Sequence, residues 1–202
     1  MSRLSVLIVL CAALLSGGCV QTAMLPAQQL DSGTTVVGAS IDEPGFLYIP
    51  RVNVQVTQGV GGGDLSANLS GPPVGGGVTG RAYLSDQLNV EVQAQATALN
   101  GAAGPASGLV LVGLQQAPTP NQWYLGAQAG VVRGTGFDIG GSTSDVQTRP
   151  LVGASFGVGP FDVGTDWRMQ LELETNVPVG PWEDDPPFPA TRVSIGFFRL
   201  FR

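Results

Sequence analysis

The stretch LNVEVQAQATAL, Leu88 to Leu99, alternates apolar and polar residues almost without error. Leu88, Val90, Val92, Ala94, Ala96 and Ala98 are apolar, and Asn89, Glu91, Gln93, Gln95 and Thr97 between them are polar. A helix would need a period of 3.6, so a strict period of two specifies a strand with two unlike faces. The same pattern recurs along the chain. Val52, Val54 and Val56 alternate with Arg51, Asn53, Gln55 and Thr57. Leu65, Ala67 and Leu69 alternate with Asp64, Ser66, Asn68 and Ser70. Trp167, Met169, Leu171 and Leu173 alternate with Arg168, Gln170, Glu172 and Glu174. Trp123, Leu125, Ala127, Ala129 and Val131 share a face, with Gln128 on the other.

Gly, Pro, Asn and Asp punctuate ten such segments, at approximately 34–41, 47–58, 63–70, 76–84, 88–99, 107–116, 122–133, 148–159, 166–176 and 190–201. Segment 107–116 is apolar on both faces and fits the pattern less well. No helical periodicity interrupts the series. Odd-numbered connections run longer, as in GTGFDIGGSTSDVQT and VPVGPWEDDPPFPA, and even-numbered ones shorter, as in GVGGG and SDQ. The expectation is an all-β, up-and-down antiparallel barrel of ten strands, with eight as the alternative. An even strand count puts both termini at the short-turn end.

Composition narrows the class. The chain has 202 residues, a net charge of −6 and no histidine. It has no lysine either. An acidic chain lacks the basic face that nucleic acid requires. Without histidine, Ser-His hydrolysis and Asp-His chemistry cannot be built, and zinc loses its commonest nitrogen ligand. The glycine runs GVGGG and VGGGV are followed by no lysine and no helix, so they read as turns and flat strand ends, not phosphate loops. The acids of WEDD, with Asp138 and Asp145, could attract Ca²⁺, but a solvated surface loop accounts for them. No metal site and no cofactor is expected.

The N-terminus is an address. Arg3 precedes the short apolar run LSVLIVLCAALL, which is followed by LSGGC, Leu15 to Cys19. Gly17, Gly18 and Cys19 resemble the lipobox of bacterial lipoproteins, with the leucine one place further upstream than usual. The alternative is an ordinary secretory signal with an incidental cysteine. The resemblance implies a diacylglycerol and palmitate anchor on Cys19 and handling by the lipoprotein-sorting machinery. Val20 stands where an aspartate would favour inner-membrane retention, so the outer membrane stays open. Cys11 would leave with the signal, so the mature chain would hold no cysteine pair and no disulfide. The expected division is a signal over 1–18, a lipid-anchored periplasmic tether over 19–33 and a barrel over 34–202.

The faces could be arranged in two ways. A soluble, lipocalin-like barrel points its apolar face inward, binds an apolar ligand and carries many Lys and Glu outside. A membrane barrel does the reverse. Here the polar face is Gln, Asn, Ser, Thr and Gly with a few Arg and Glu, which suits a narrow lumen better than bulk water. Tyr83, Trp123, Tyr124, Phe161, Trp167 and Phe201 all fall near the short-turn end, as an aromatic girdle at a membrane interface would. Phe46, Tyr48, Trp182 and Phe188 fall near the other. The C-terminal RVSIGFFRLFR sets Val193, Ile195, Phe197 and Phe201 on one parity, interrupted by Arg199 and followed by Arg202. It resembles the strand by which outer-membrane barrels are recognised for assembly.

From about residue 34 onward the chain resembles small bacterial outer-membrane β-barrels. The resemblance is one of architecture and identifies no particular function; the expectation is a non-enzymatic, monomeric transmembrane barrel with both termini periplasmic, partnered by outer-membrane lipid and the barrel-assembly and lipoprotein-sorting machinery, in a structural, surface-interaction or narrow-pore role. The soluble, lipid-anchored periplasmic barrel is the competing reading. The inward parity would collect a luminal network of Arg51, Arg81, Glu91, Gln93, Gln95, Arg168, Gln170, Glu172 and Glu174, with Arg168 and Glu172 paired. Buried charges must be paired, and eight- to ten-stranded interiors are largely filled, so a plug is favoured over a conduit. Glu172 and Glu174 on one face resemble the paired acids of glycoside hydrolysis, but a structural role fits better.

Overall fold

The computed structural model describes residues 29–44, 50–71, 74–97, 107–119, 123–135, 146–179 and 190–201. Cys19, the signal, the tether as far as residue 28, Phe46, Tyr48, Trp182, Phe188, Asp138, Asp145 and the acids of WEDD lie outside them.

Ten strands follow one another: β1 (Thr35–Pro44), β2 (Arg51–Gly59), β3 (Gly63–Gly71), β4 (Gly75–Tyr83), β5 (Leu88–Thr97), β6 (Ser107–Thr119), β7 (Trp123–Thr135), β8 (Val146–Asp162), β9 (Trp167–Pro178) and β10 (Ala190–Phe201). Each pairs antiparallel with its neighbours in sequence, and β1 pairs with β10 from Thr35↔Phe201 to Pro44↔Arg192, so the sheet is a closed barrel. Closure leaves no free edge. The expected ten segments coincide with these strands to within a few residues. The main difference is the long loop expected before residue 148. There β7 runs on to Thr135 and β8 already begins at Val146, pairing as Thr135↔Val146. The backbone gains ladder bonds by continuing the hairpin beyond the clear alternation.

Both termini of the barrel lie at the end that carries the short connections 60–62, 84–87 and 163–166. The longer connections 45–50, 98–106, 136–145 and 179–189 lie at the other end, with 72–74 the short exception there.

The faces have the sense that the membrane reading requires. In β5, Asn89, Gln93 and Gln95 are buried while Val92, Ala94 and Ala96 are exposed. In β2, Arg51, Asn53, Gln55 and Thr57 are buried while Val52, Val54 and Val56 are each about half exposed. Outward Leu65, Leu69, Val78, Val112, Leu125, Phe156, Leu173 and Phe197 extend this apolar surface around the barrel. In β6, where the sequence pattern was weak, Val110, Val112 and Leu114 point out and Gly113 and Gln115 point in. The soluble alternative demands the opposite polarity and does not match.

The small apolar core sits inside the barrel at the short-turn end. Leu30, Val36 and Phe198 are buried together there, with Leu200 packed against them. Residues just before β1 form the floor. The Leu30 amide donates to Tyr83 Oη at 2.9 Å, Gln29 Nε2 donates to the Ser85 carbonyl, and the Gly33 amide donates to the Gly59 carbonyl at 3.0 Å. The folded part therefore begins a few residues before residue 34, inside the stretch expected to be tether.

Inward glycines make room for large side chains. A Cβ at Gly157 would overlap the ring of Tyr124, and one at Gly38 would overlap the ring of Phe198. Gly159 has a different task. It takes φ 108° at a β-bulge where the β8–β9 register shifts between Val158 and Phe161. That conformation favours glycine. Without the extra residue Phe161 would share the inward parity of Gly157. With it, Phe161 is exposed on the outer surface beside Val158 and Trp123.

Overpacking a filled interior costs about 1–3 kcal/mol. Gly157→Val is therefore expected to lower the temperature at which the folded barrel converts to the unfolded band on a heat-modifiability gel. Gly61→Ala, in an open turn where a Cβ meets nothing within 4 Å, strains only the backbone at φ 62° and should shift it less.

Candidate functional site

Inward side chains assemble into two charge-centred networks. The larger one centres toward the long-loop end, on β1, β2, β9 and β10, with two side chains from β7. Arg51 and Asp42 face each other directly across the β1–β2 ladder, and Arg51 donates to Asp42 Oδ2 through Nη2 at 2.7 Å and Nε at 3.2 Å. Arg192 stands opposite Glu174 in the β9–β10 register. Its guanidinium binds Glu172 and Glu174, the latter at 2.5 Å, and lies 3.8 Å from Asp42. Ser40 Oγ donates to Asp42 Oδ1 at 3.1 Å. Glu172 also accepts a hydrogen bond from Tyr124 Oη at 2.5 Å, and Tyr124 in turn accepts one from Gln170 Nε2 at 2.7 Å. Gln128 Nε2 donates to Glu174 Oε1 and to Asn176 Oδ1, at 2.7 and 2.8 Å.

The second network sits toward the short-turn end on β3 to β6. Asp64 and Arg81 are cross-strand partners. The guanidinium reaches Asp64 Oδ2 through Nη2 at 2.6 Å and Nε at 3.0 Å, and Gln115 Oε1 through Nη1 at 3.5 Å. Tyr83 Oη donates to the same Asp64 oxygen, and its ring lies under the Arg81 guanidinium at 5.5 Å. Asn89 Nδ2 donates to Gln115 Oε1 at 3.0 Å. A neutral rung crosses further up, where Gln95 donates to Asn68 and Asn68 donates to Asn53, at 3.0 and 3.2 Å.

Of the expected luminal residues, Arg51, Arg81, Gln93, Gln95, Gln170, Glu172 and Glu174 are buried inside, and Glu91 faces the same interior. Arg168 corrects the expectation. It has the inward parity but stands at the strand's first turn, pairs with exposed Asp162 at 2.5 Å, and is 24% exposed. Glu172 takes Arg192 instead, because Arg192 on the neighbouring strand is within direct reach and Arg168 lies four residues down its own strand, roughly 13 Å away at about 3.3 Å per residue. Arg192, Asp42 and Asp64 were missed as network members. The signal was present, since Asp64 and Arg81 have the polar parity of their strands and Arg192 has the parity of Ser194, opposite the outward Val193 and Ile195.

The aromatic girdle also needs correction. Trp123, Phe161, Trp167 and Phe201 are on the outside at the short-turn end, on the contiguous strands β7 to β10. Arg199, which interrupts the apolar parity of β10, is outside with them, 5.9 Å from the Trp167 ring centre and 5.1 Å from that of Phe201. It pairs loosely with Asp166 at 4.0 Å. Tyr83 and Tyr124, expected with them, do not share that outer face. Both have the inward parity of their strands, and Tyr124 is fully buried with its hydroxyl on Glu172. A phenol can bury its ring and satisfy its hydroxyl inside a polar lumen, which a lipid-facing position would not offer.

The two glutamates that could have served acid–base chemistry are both held by one guanidinium. Removing one partner of a buried ion pair leaves the others uncompensated, at about 3–5 kcal/mol. Arg192→Ala should therefore lower the heat-modification temperature strongly. Arg168→Ala, at a half-solvated pair, should change stability by less than about 1 kcal/mol. Equal effects of the two substitutions would contradict the assignment of the network to Arg192.

In sequence the chain matches no protein-family model and no curated protein. Solved structures with a similar course include a de novo designed transmembrane β-barrel, at 14% identity over 86% of this chain and 100% of that one, with a TM-score of 0.37. They also include the N-terminal β-barrel domain of Pseudomonas aeruginosa OprF, at 10% identity over 84% and 98% with a TM-score of 0.44. Neisserial surface protein A is a third, at 17% identity over 83% and 95% with a TM-score of 0.37. Scores of this size, with so few identical residues, carry nothing over to this chain about solutes, partners or sites.

Proposed function

We propose that this chain is a non-enzymatic β-barrel of the bacterial outer membrane, anchored in addition by lipid on Cys19, and that its filled lumen makes it a structural or surface-presenting element. The observation that carries this reading is the inverted polarity. Val52, Val54, Val56, Val92, Val112, Leu125, Leu173 and Phe197 stand exposed while Asp42, Arg51, Asp64, Arg81, Gln93, Gln170, Glu174 and Arg192 are buried. Soluble monomers rarely expose apolar patches beyond a few hundred Å². In hydrocarbon the same belt costs nothing, and a closed barrel satisfies every ladder group without water.

The placement of Trp123, Phe161, Trp167 and Phe201 supports a membrane boundary at the short-turn end. Arg199 there could snorkel its charge into the headgroup layer along the two rings. With the termini at that end, a lipid on Cys19 would sit in the adjacent leaflet. That orientation makes the short turns and both termini periplasmic and the long loops external. The outer-membrane lipid, the barrel-assembly machinery and the lipoprotein-sorting machinery are the partners that follow, with the barrel as a monomer. A narrow pore is the second reading. The polar lining favours it, and the ion pairs on Arg192 and Arg81 that fill the lumen weigh against it.

Paired labels decide the exterior. A bimane at position 94 should be quenched by lipid-phase quenchers in reconstituted protein, while one at position 93 should not. The membrane reading fails if position 94 is untouched by them and position 93 is freely reached from water. Ala94→Arg, on the outward face, should impair assembly by about 2–4 kcal/mol if it lies near the midplane. Cys19→Ser should abolish palmitate labelling yet leave the barrel in the carbonate-washed membrane fraction. Release into the soluble periplasm would mean that the lipid alone holds it.

A further inference from the structure

A groove and a loosely held charge pair adjoin on the outer wall at the short-turn end. Trp123, Phe156, Val158 and Phe161 line the groove on β7 and β8. Strand register relates it to the pair. Phe161 stands opposite Met169 and Met169 opposite Phe197, while Trp167 stands opposite Arg199. Arg199 therefore lies two strands across from Phe161 and two residues nearer the barrel end. That is roughly 10–15 Å, at about 4.8 Å per strand and 3.3 Å per residue. Trp167, itself exposed, stands on the strand between them. From Phe161 the groove runs away from the short-turn end, since Val158 shares a rung with Leu171 and Ile195.

The charge pair is Arg199 with Asp166. Their nearest charged atoms are 4.0 Å apart, and the side chains are 45% and 56% exposed. An exposed pair at that separation holds its partners weakly and leaves both open to a ligand. Both are nevertheless well placed. The Arg199 guanidinium lies against the rings of Trp167 and Phe201, 5.9 and 5.1 Å from their centres. The Asp166 carbonyl accepts from the Leu200 amide at 3.1 Å, which fixes the turn between β8 and β9 beside β10. The neighbouring Arg168 and Asp162 differ, being closed on each other at 2.5 Å.

An apolar groove with an aromatic edge suits an acyl chain, and the charges at its mouth select the head that goes with it. A head that carries only a phosphate is matched by Arg199 and repelled by Asp166. A head that carries a phosphate and a primary ammonium satisfies both. The phosphate accepts hydrogen bonds from the guanidinium, and the ammonium donates to the carboxylate. A quaternary ammonium has no N–H to donate. We propose that this part of the outer wall binds one phospholipid with a phosphoethanolamine head, its phosphate on Arg199, its ammonium on Asp166 and an acyl chain in the groove at Phe161. The site rests on the reading of the chain as a membrane barrel, in which the groove leads from the headgroup layer into hydrocarbon.

Native mass spectrometry of the full-length protein tests this. The protein is released from detergent micelles that contain equal amounts of dioleoyl phosphatidylethanolamine and dioleoyl phosphatidylglycerol. One ethanolamine lipid per barrel should be retained, in an excess of about two- to fivefold over the glycerol lipid, the scale of a single exposed ion pair. Asp166→Asn should reduce that excess to parity, and Arg199→Ala should reduce the retention of both lipids. Parity in the unmodified protein, or an undiminished excess in Asp166→Asn, would overturn the proposal. Asp166 lies in an exposed turn, so its variant decides the matter even if Arg199→Ala fails to assemble. Lipid-phase quenching at position 94 without a preference for the ethanolamine lipid rejects the site alone, whereas absence of that quenching rejects the membrane reading with it.

Discussion

Everything in this barrel depends on the pairing of β1 with β10, ten residues matched from Thr35↔Phe201 to Pro44↔Arg192. An open sheet of this length would leave two rows of unpaired amides and carbonyls. Closing it satisfies them and at the same time creates an inside. Side chains of one parity then have no exit to solvent, and those of the other parity have no protein to cover them. The inversion of polarity is the consequence. Once the tube is closed, a strand with a valine face and a glutamine face must bury one of them, and here the polar face goes in.

An interior made of polar groups can be stable only if those groups satisfy one another. The charged pairs do so by register. Asp42 lies across from Arg51, Asp64 from Arg81 and Glu174 from Arg192, so each pair is a nearest neighbour on adjacent strands. Tyr124 and Gln170 extend the pairing to the remaining oxygen of Glu172. These contacts need a narrow bore. Glycines on the inward face provide it, because Tyr124 and Phe198 lie flat over Gly157 and Gly38 where any side chain would collide. The abundance of glycine, which reads as turn and loop in a linear scan, is in part the negative image of the luminal side chains.

The two ends of the tube differ in kind. At the short-turn end the lumen finishes in apolar residues, with Leu30 from the segment before β1 set against Val36 and Phe198. Tyr83 links that segment to the charged interior by accepting from the Leu30 amide and donating to Asp64. At the other end Asp42, Arg51 and Arg192 hold the walls together. The floor is therefore made by local chain folding and the upper part by long-range pairing, which is the division expected where the chain enters the barrel from below.

The sequence by itself determined a great deal. Ten segments, their order, the end at which short turns gather and the two faces of most strands follow from period-two alternation and punctuation by Gly and Pro, whereas β6, apolar on both faces, did not show which side turns in. These are local properties that need no knowledge of neighbours. What required the tertiary structure was which neighbours meet. Parity placed Arg168 and Glu172 on one face but could not show that Arg192 on the next strand would be the nearer partner, because register is decided between strands. Position near a strand end suggested that Tyr83 and Tyr124 were girdle residues, whereas parity, the stronger constraint, sends both inward. Phe161 went the other way. Its place on the outer surface depends on a bulge at Gly159, and only the matching of β8 to β9 shows where the extra residue is absorbed. Faces are written in a single strand, but contacts belong to pairs of strands, and no single strand contains them.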